Sequence, residues 1–207
     1  MLFQLSVVGM TAGFALLTFL VLTVPTFAID LSITNGLQSI NNPFFSGLMT
    51  FISWAGFSPQ SFIIPFIIIV TIYALGYHWE AAVSIIAVLS VEGLNLLLKS
   101  LVHRARPSID MVHVTTLLTS YSFPSGHVMF YTGFFGFICF LLFTLLKPSW
   151  MRTVLLIVFG GQVVLVGISR IYLGQHWASD VAAAYLLGGL CLIGYIHFIV
   201  GVNRDFS

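Results

Sequence analysis

Charged residues are scarce in this chain. Only 6% of its 207 residues are Asp, Glu, Lys or Arg, whereas 59% are hydrophobic, and the mean hydropathy is +1.08. A soluble domain needs a charged surface, so this composition excludes a soluble globular protein and predicts an integral membrane protein. The formal net charge of +1 does not indicate a nucleic-acid partner or an acidic soluble partner.

Cysteine is scarce as well. Cys139 and Cys191 both fall within apolar runs, where free cysteines commonly act as small core residues. They leave both disulfide formation and the redox compartment undetermined. The sequence also lacks an Asp, Glu, His or Cys cluster with the spacing of a metal site. We therefore expect neither a metal nor a cofactor.

Long apolar runs dominate what is present. About 20 apolar residues are needed to cross the roughly 30 Å hydrocarbon core of a bilayer, and six runs reach or approach that length. The six predicted spans lie near Leu5–Ala28, Ser61–Tyr77, Glu80–Val102, Ser125–Leu146, Arg152–Ile168 and Ser179–Val200. Internal repeats and low-complexity segments are absent. The sequence therefore predicts an all-α polytopic membrane protein in which residues 1–207 form one six-span domain.

The first apolar run has a feature of a signal peptide. Thr26-Phe27-Ala28 is a passable cleavage site. However, no Lys or Arg precedes the run, and the run is longer than a typical signal-peptide core. We expect it to be retained as a span.

The longest segment outside the predicted spans runs from Asp30 to Gln60. Turn-forming residues frame an apolar stripe at roughly helical spacing, which includes Phe44, Leu48 and Phe51. We predict a short interfacial helix here, between the first and second spans. A short helix packed on the bundle fits the same pattern equally well.

Polar residues concentrate at three places, each at the end of a predicted span. At the first place, Lys99 closes the third span and Arg106-Pro107 follow. Proline ends a continuing helix, so both cations can turn over one pocket. Taken alone, cations at a span end are commonly snorkelling anchors.

The second place is Ser122–His127, at the start of the fourth span. Pro124 suits a first helical turn. Free backbone N–H groups of Ser125 and Gly126 at such a helix N-terminus would form an anion site. His127 could then donate a proton to an oxygen of that anion, although a capped helix with an interfacial histidine fits the same residues.

The third place is Ser169–Asp180, which gathers an arginine, a histidine and an aspartate. If the chain is helical from Gly174 onward, His176 and Asp180 form an i, i+4 pair. The carboxylate would hold one imidazole N–H and leave the other nitrogen free as a base or nucleophile. Together, the three places suit a phosphate ester. Cations would clamp its oxygens, one histidine would attack phosphorus and the other would protonate the leaving alkoxide.

These places resemble the three-part signature of the type 2 phosphatidic acid phosphatase superfamily. The matching segments are Lys99-x6-Arg106-Pro107, Pro124-Ser125-Gly126-His127 and Ser169-Arg170-x5-His176-x3-Asp180. They follow the family's order without a gap or substitution, over residues 99–180. The six-span plan is similar to the membrane lipid phosphatases of this superfamily rather than to its soluble acid phosphatases and vanadium haloperoxidases.

The resemblance implies a role for each matching residue. His176 is similar to the nucleophile, which forms a phosphohistidine, and Asp180 is similar to the carboxylate that orients it. His127 is similar to the general acid for the leaving group, which later becomes the base that activates water. The phosphate-binding residues implied by the resemblance are Lys99, Arg106, Ser125, Gly126 and Arg170.

Four further residues are expected to support the site. Pro107 and Ser169 resemble supporting positions of the signature, and Arg104 is either part of the phosphate rim or a surface charge. Glu92 is an acid within a predicted span, where a carboxylate is costly and usually has a partner. It lies about two helical turns before Lys99, so we expect it to brace the bundle near the site rather than perform chemistry.

The resemblance implies a metal-independent membrane lipid phosphatase. The expected reaction converts phosphatidylglycerophosphate to phosphatidylglycerol, with undecaprenyl pyrophosphate as the alternative substrate and phosphatidic acid as a side substrate. The expected partners are this lipid phosphate and membrane lipids, without nucleic acid or a required protein partner. A vanadate-dependent haloperoxidase is disfavoured because that branch is soluble. A catalytically idle lipid-binding or transport protein is disfavoured because the set of reactive residues is complete.

The charge distribution predicts the orientation. With six spans, the connections after the first, third and fifth spans share one membrane face, and all three polar places lie there. Four of the seven Lys and Arg residues are on this face. If Lys99, Arg106 and Arg170 bind phosphate and are left out, the other face leads by three to one. The positive-inside rule then places both termini in the cytoplasm and the site on the extracytoplasmic face of the cell membrane.

Overall fold

The protein is described here by a computed structural model that covers residues 2–24 and 26–205. Within these ranges the chain forms eight helices and no strand, which confirms the predicted all-α class. The helices are α1 (Leu2–Thr23), α2 (Ala28–Gln38), α3 (Pro43–Trp54), α4 (Gln60–Ala74), α5 (His78–Val102), α6 (Gly126–Leu145), α7 (Trp150–Tyr172) and α8 (Ala178–Asp205). One π-helical turn, Tyr131–Phe135, interrupts α6.

Five of these helices are long and apolar enough to cross a membrane: α1, α5, α6, α7 and α8. The predicted second span corresponds to α4, which has 15 residues. At 1.5 Å per residue, α4 is about 22 Å long, shorter than the roughly 30 Å hydrocarbon core. The multi-pass membrane character is therefore established, and the count of six spans stays a prediction.

Two short helices, rather than the one expected, fill the segment between α1 and α4. Asn42 separates them, because its Oδ1 accepts hydrogen bonds from the backbone N–H groups of Phe44 and Phe45 at 2.9 and 3.2 Å and caps α3. Helix α3 is packed on the bundle. The Met49 carbonyl accepts from Ser169 Oγ of α7 at 2.6 Å, and the Ile52 carbonyl accepts from Tyr131 Oη of α6 at 2.8 Å. Where α2 and α3 lie relative to the lipid headgroups stays a prediction.

Helix α6 forms the centre of the bundle. In its most apolar window 61% of residues are buried, compared with 6% in α1. Small residues allow its neighbours to approach closely. A Cβ at Gly133 would overlap Val91 of α5, and a Cβ at Gly188 of α8 would overlap Thr132. This packing fixes the beginning of α6, where the candidate site residues Ser125 and His127 lie.

Helix α2, the α5–α6 connection and the end of α7 meet at one end of the bundle. Gln38 of α2 donates from Nε2 to the carbonyl of His113 at 2.7 Å and to that of Tyr172 at 2.9 Å. The His113 N–H in turn donates to Gln38 Oε1 at 3.0 Å. The convergence expected from counting spans is therefore present in the structure, and it assembles the site from segments distant in sequence.

Candidate functional site

His176 lies in a turn, so the prediction that it shares a helical face with Asp180 is wrong. Helix α7 continues to Tyr172, and α8 begins only at Ala178. Gly174, at φ +66°, reverses the chain between them, and a Cβ there would overlap the His113 backbone. The N–H groups of Gln175 and His176 both donate to the Arg170 carbonyl, at 3.1 and 3.3 Å. The turn therefore places His176 directly against the end of α7.

Asp180 lies beside His176, and its carboxylate also accepts hydrogen bonds from Ser122 and Trp177. Its Oδ2 is 3.6 Å from His176 Nδ1, which is too long for a good hydrogen bond. The same oxygen accepts from Ser122 Oγ at 2.5 Å and from the Trp177 N–H at 3.0 Å. Ser122 Oγ also lies 3.4 Å from His176 Nδ1. Asp180 and His176 are therefore neighbours, as the sequence predicted, and Ser122 lies beside both of them.

Hydrogen bonding assigns the proton on the His176 ring. Arg106 Nη1 lies 3.1 Å from His176 Nε2, and a guanidinium can only donate. Nε2 therefore accepts, and Nδ1 carries the proton on the side of Ser122 and Asp180. Burial, reinforced by Arg106, Arg170 and Lys99, lowers the pKa of His176 well below its ordinary value, and a hydrogen bond to the Ser122 backbone opposes this effect. The free form of His176 is a neutral imidazole with its Nε2 lone pair toward the three cations.

A cavity of about 240 Å³ collects most of the predicted residues. Lys99, Arg106, Gly126, His127, Arg170 and His176 line it together with Gly56, Phe57, Ser61, Phe62, Val88, Glu92, Leu118, Ser120 and Phe130. The three cations come from α5, the α5–α6 connection and α7. Their charges converge on one space, as expected for an anion site.

The cations differ in how they are held. Arg106 donates to the carbonyls of Gln175 at 2.6 Å and Ser120 at 2.7 Å, so its position is fixed by backbone. Lys99 reaches only Ser120 Oγ, at 3.5 Å. Arg170 is fully buried and donates from Nη1 to Ser53 Oγ at 2.5 Å, and its guanidinium lies 5.1 Å above the Phe57 ring.

Several buried polar atoms around this cavity have no hydrogen-bond partner among the described residues. They are Ser125 Oγ, His127 Nε2, and Arg170 Nε and Nη2. Leaving a buried polar group unpaired costs about 1–3 kcal/mol, so these four atoms have hydrogen-bonding capacity that a polar ligand can use. A tetrahedral oxyanion can accept from all of the donors among them.

His127 is positioned by residues that sequence reasoning missed. The Phe57 ring packs edge-on against it with 4.6 Å between centroids, and a Cβ at Gly56 would overlap the imidazole. Both residues lie in the α3–α4 connection, far from His127 in sequence. The expected backbone anion site is also altered. The Ser125 N–H donates to the Asp180 carbonyl at 3.4 Å, so it is not free for an anion, whereas Gly126 lines the cavity and the Ser125 hydroxyl is buried without a partner among the described residues.

The expected supporting residues take different positions. Arg104 is buried and forms ion pairs with Asp180 at 2.5 Å and Asp30 at 2.8 Å, so it is neither part of the phosphate rim nor a surface charge. Pro107 is buried, and the hydroxyl of Ser169 ties α7 to α3. Glu92 lines the cavity and has no hydrogen bond or ion pair within 4 Å among the described residues, so no contact supports the expected bracing role. In the same part of the chain, no group of three or more His, Cys, Asp and Glu could hold a metal ion.

Comparison with known proteins places this geometry in a family. The model of the PAP2 superfamily matches residues 77–204. The chain is 33% identical over 163 residues to phosphatidylglycerophosphatase B of Bacillus subtilis (strain 168), and the aligned region covers 77% of each protein. It is 38% identical over 94 residues to an undecaprenyl-diphosphatase of Sulfolobus acidocaldarius, which covers 44% of this chain and 41% of that protein.

A solved structure supports the same relationship. The crystal structure of a transmembrane PAP2-type phosphatidylglycerolphosphate phosphatase from Bacillus subtilis has a TM-score of 0.83 and 28% identity to this chain. The alignment covers 95% of this chain and 97% of the other. The resemblance inferred from the three sequence segments is confirmed.

The neutral state of His176 can be tested by NMR. In protein labelled with ¹⁵N-histidine, we expect the His176 ring to keep its proton on Nδ1 and to show no titration between about pH 5.5 and 8. A histidine with the ordinary pKa of about 6.5 would change charge in that range, whereas a lowered pKa preserves the neutral form to lower pH. The ring signal that is missing from the spectrum of His176→Asn belongs to His176. Unfolded protein gives the titration of an ordinary histidine for comparison. A His176 titration midpoint at or above 6.5 in the folded protein would contradict the assignment.

Proposed function

Because the chain belongs to the PAP2 superfamily and is a membrane phosphatase of that superfamily, we propose that it removes the terminal phosphate of phosphatidylglycerophosphate through a phosphohistidine. One observation carries the chemistry: two histidines and three cations line a single cavity, and the buried Arg170 Nε and Nη2 and His127 Nε2 there have no hydrogen-bond partner among the described residues. Such a cavity can bind a phosphate ester and transfer its phosphoryl group to a side chain.

The first step forms the phosphoenzyme. Phosphate oxygens accept hydrogen bonds from Arg170 Nε and Nη2, from Ser125 Oγ and from Lys99. The Arg106 guanidinium moves from His176 Nε2 to a phosphate oxygen, which frees the lone pair to attack phosphorus. The bound phosphate dianion offsets the neighbouring cations and favours the protonated form of His127. As the N–P bond forms, the P–O bond to the lipid breaks, and the His127 imidazolium donates its proton to the leaving alkoxide.

The second step releases phosphate. His127, now neutral, takes a proton from a water molecule that attacks the phosphohistidine, and the N–P bond breaks. Nδ1 keeps its proton throughout, and the positive charge that develops on the ring is stabilised by Asp180 and Ser122 behind it. Every group in this scheme belongs to the chain itself, so the reaction requires no metal.

The two histidines can be separated by the choice of leaving group. We expect His176→Ala to abolish hydrolysis of both phosphatidylglycerophosphate and p-nitrophenyl phosphate. His127→Ala should lower lipid hydrolysis by about 10²–10⁴. It should spare the first turnover with p-nitrophenyl phosphate, because nitrophenolate leaves without a proton. The measurement is phosphate release for the lipid and burst release of nitrophenolate, in detergent with EDTA.

A matched control is His78→Ala, which removes a histidine at the opposite end of α5, beside Tyr73. This variant should keep full activity. Full activity in His176→Ala would contradict the nucleophile assignment. Loss of wild-type activity in EDTA with recovery in magnesium would contradict the metal-free mechanism.

The choice of substrate depends on the part of the cavity that does not take part in the two chemical steps. Ser61, Phe62, Val88 and Glu92 line it between α4 and α5. Glu92 lies seven residues before Lys99, about 10 Å along α5, so it faces the group that follows the bound phosphate. A carboxylate accepts hydrogen bonds from a glycerol hydroxyl and repels a second phosphate. This favours phosphatidylglycerophosphate over undecaprenyl pyrophosphate, which the 38% identical relative makes the second candidate.

Glu92→Gln tests this argument on both substrates under one detergent condition. We expect the ratio of kcat/KM for phosphatidylglycerophosphate to that for undecaprenyl pyrophosphate to fall roughly 10-fold, equivalent to about 1.4 kcal/mol. Removing the charge weakens the repulsion of the second phosphate. Glu80→Gln, at the far end of the same helix, is the control and should leave the ratio unchanged. An equal loss for both substrates in Glu92→Gln would refute a role in discrimination. A wild-type preference for the pyrophosphate would make the second candidate the substrate.

The proposed orientation places the site on the extracytoplasmic face. The loop over the cavity is exposed at Thr116, and Lys147 is exposed at the opposite end of α6. With Cys139 and Cys191 replaced, Thr116→Cys should react with a membrane-impermeant maleimide in intact cells. Lys147→Cys should react only after the membrane is permeabilised. The reverse pattern would place the site in the cytoplasm.

A further inference from the structure

Asp30 is a buried acid outside the signature and outside the cavity. It lies in the first turn of α2 and is completely buried. Its carboxylate accepts three hydrogen bonds: from Arg104 Nη2 at 2.8 Å, from the Ser179 N–H at 2.8 Å and from Ser179 Oγ at 2.7 Å. An ionised carboxylate is retained in such surroundings only if its oxygens are well satisfied, and these three donors meet that requirement.

Two of these contacts are made with the first turn of α8. That helix begins after Trp177, whose side chain offers no acceptor for the free N–H groups of a helix start. Asp30 supplies the missing acceptor from another helix by binding the Ser179 N–H. Asp180, one residue further, binds the Trp177 N–H from within α8. Asp30 thus holds the turn that carries Asp180.

The contact with Arg104 connects Asp30 to His176, the proposed nucleophile. Arg104 donates to Asp30 through Nη2 and to Asp180 Oδ1 through Nη1, and it also donates to Ser179 Oγ at 2.7 Å. The other oxygen of Asp180 faces Ser122 and His176. The planar guanidinium therefore fixes the two carboxylates relative to each other, and the position of Asp30 is passed on to the carboxylate behind His176.

We propose that Asp30 is a positioning residue for the nucleophile, acting through Arg104 and the start of α8 on Asp180 and then on His176. The proposal rests on the proposed function, because it requires His176 to attack phosphorus. With two carboxylates sharing one guanidinium, the group carries a net negative charge behind His176. Without the charge of Asp30, Arg104 neutralises Asp180 alone, and less negative charge remains to stabilise the phosphohistidine.

Asp30→Asn separates positioning from phosphate binding. The amide keeps the size of the side chain and an oxygen for the Ser179 N–H, but it loses the charge that holds Arg104. We expect kcat to fall about 10- to 100-fold. Under the proposed function vanadate also bonds to the nucleophile His176, so its inhibition constant should rise at least about 10-fold. The inhibition constant of inorganic phosphate, held by Lys99, Arg106 and Arg170, should change less than about 3-fold.

Thr34→Val is the matched control. Thr34 is buried on the same face of α2, and its hydroxyl bonds only the Asp30 carbonyl, at 2.8 Å. This variant should lower the melting temperature to a similar extent without changing kcat or the vanadate constant. If Thr34→Val lowers kcat as much as Asp30→Asn, or if phosphate and vanadate weaken equally in Asp30→Asn, the role of Asp30 is structural and the proposal is overturned.

Two further results complete the test. If Asp30→Asn does not fold, Asp30→Glu keeps the charge but displaces the carboxylate by one methylene from Arg104 and the Ser179 N–H, and it should show the same separation of vanadate from phosphate. An unchanged vanadate constant in a folded Asp30→Glu would then overturn the proposal. A wild-type protein without lipid phosphatase activity would refute the proposed function. An active wild type with an inactive His176→Ala and a fully active Asp30→Asn would refute only the role of Asp30.

Discussion

One guanidinium shared by two buried carboxylates holds the end of the bundle together. Asp30 is part of α2, Arg104 follows α5 and Asp180 is part of α8, so their pairing joins three segments that lie far apart in the sequence. A buried ion pair contributes little stability by itself, but breaking one is strongly destabilising because an uncompensated charge remains. The pairing therefore acts mainly by selecting one arrangement of these segments. That arrangement places Ser122 and His176 against Asp180.

The charges on the other side of His176 are left unbalanced. Lys99, Arg106 and Arg170 line the cavity, and none of them forms an ion pair within the part of the chain that the structure describes. Three neighbouring cations in a buried site of low dielectric constant repel one another. A phosphate dianion would remove most of that repulsion on binding. The same fields lower the pKa of His176 and keep its imidazole neutral. In the proposed function, phosphate binding and the nucleophilicity of His176 therefore arise from one arrangement of charge, with positive groups in front of the imidazole and a negative group behind it.

Sequence reasoning succeeded where hydropathy or a sequence motif carries the information. Apolar runs predicted the long helices, and the span count together with the family signature predicted that Lys99, His127 and His176 share a site, which the cavity lining supports. It failed where a contact depends on tertiary packing. No spacing connects Asp30 with Arg104, or Gly56 with the His127 ring, because the path of the α1–α4 segment is set by the bundle on which it packs. The turn between Tyr172 and Ala178 was missed because the close approach of the His113 backbone to Gly174 is a tertiary contact. Asp30 carried only a weak signal: it is one of six acidic residues, but it lies outside the predicted spans, where an acid needs no partner.

The two parts of the cavity are built from different parts of the chain. The residues that face the phosphate lie in or between α5 and α8, within the region 77–204 that the family model matches. Ser61 and Phe62, which line the part of the cavity proposed to take the leaving group, precede that region. Phosphate chemistry needs fixed charges and one geometry, whereas the leaving group needs only a fitting surface and one suitably placed polar group. Changes at Ser61 and Phe62 can therefore alter which lipid is accepted, whereas Gly56 and Phe57 contact the His127 ring and belong to the phosphate end. Glu92 lies on the boundary between the two parts.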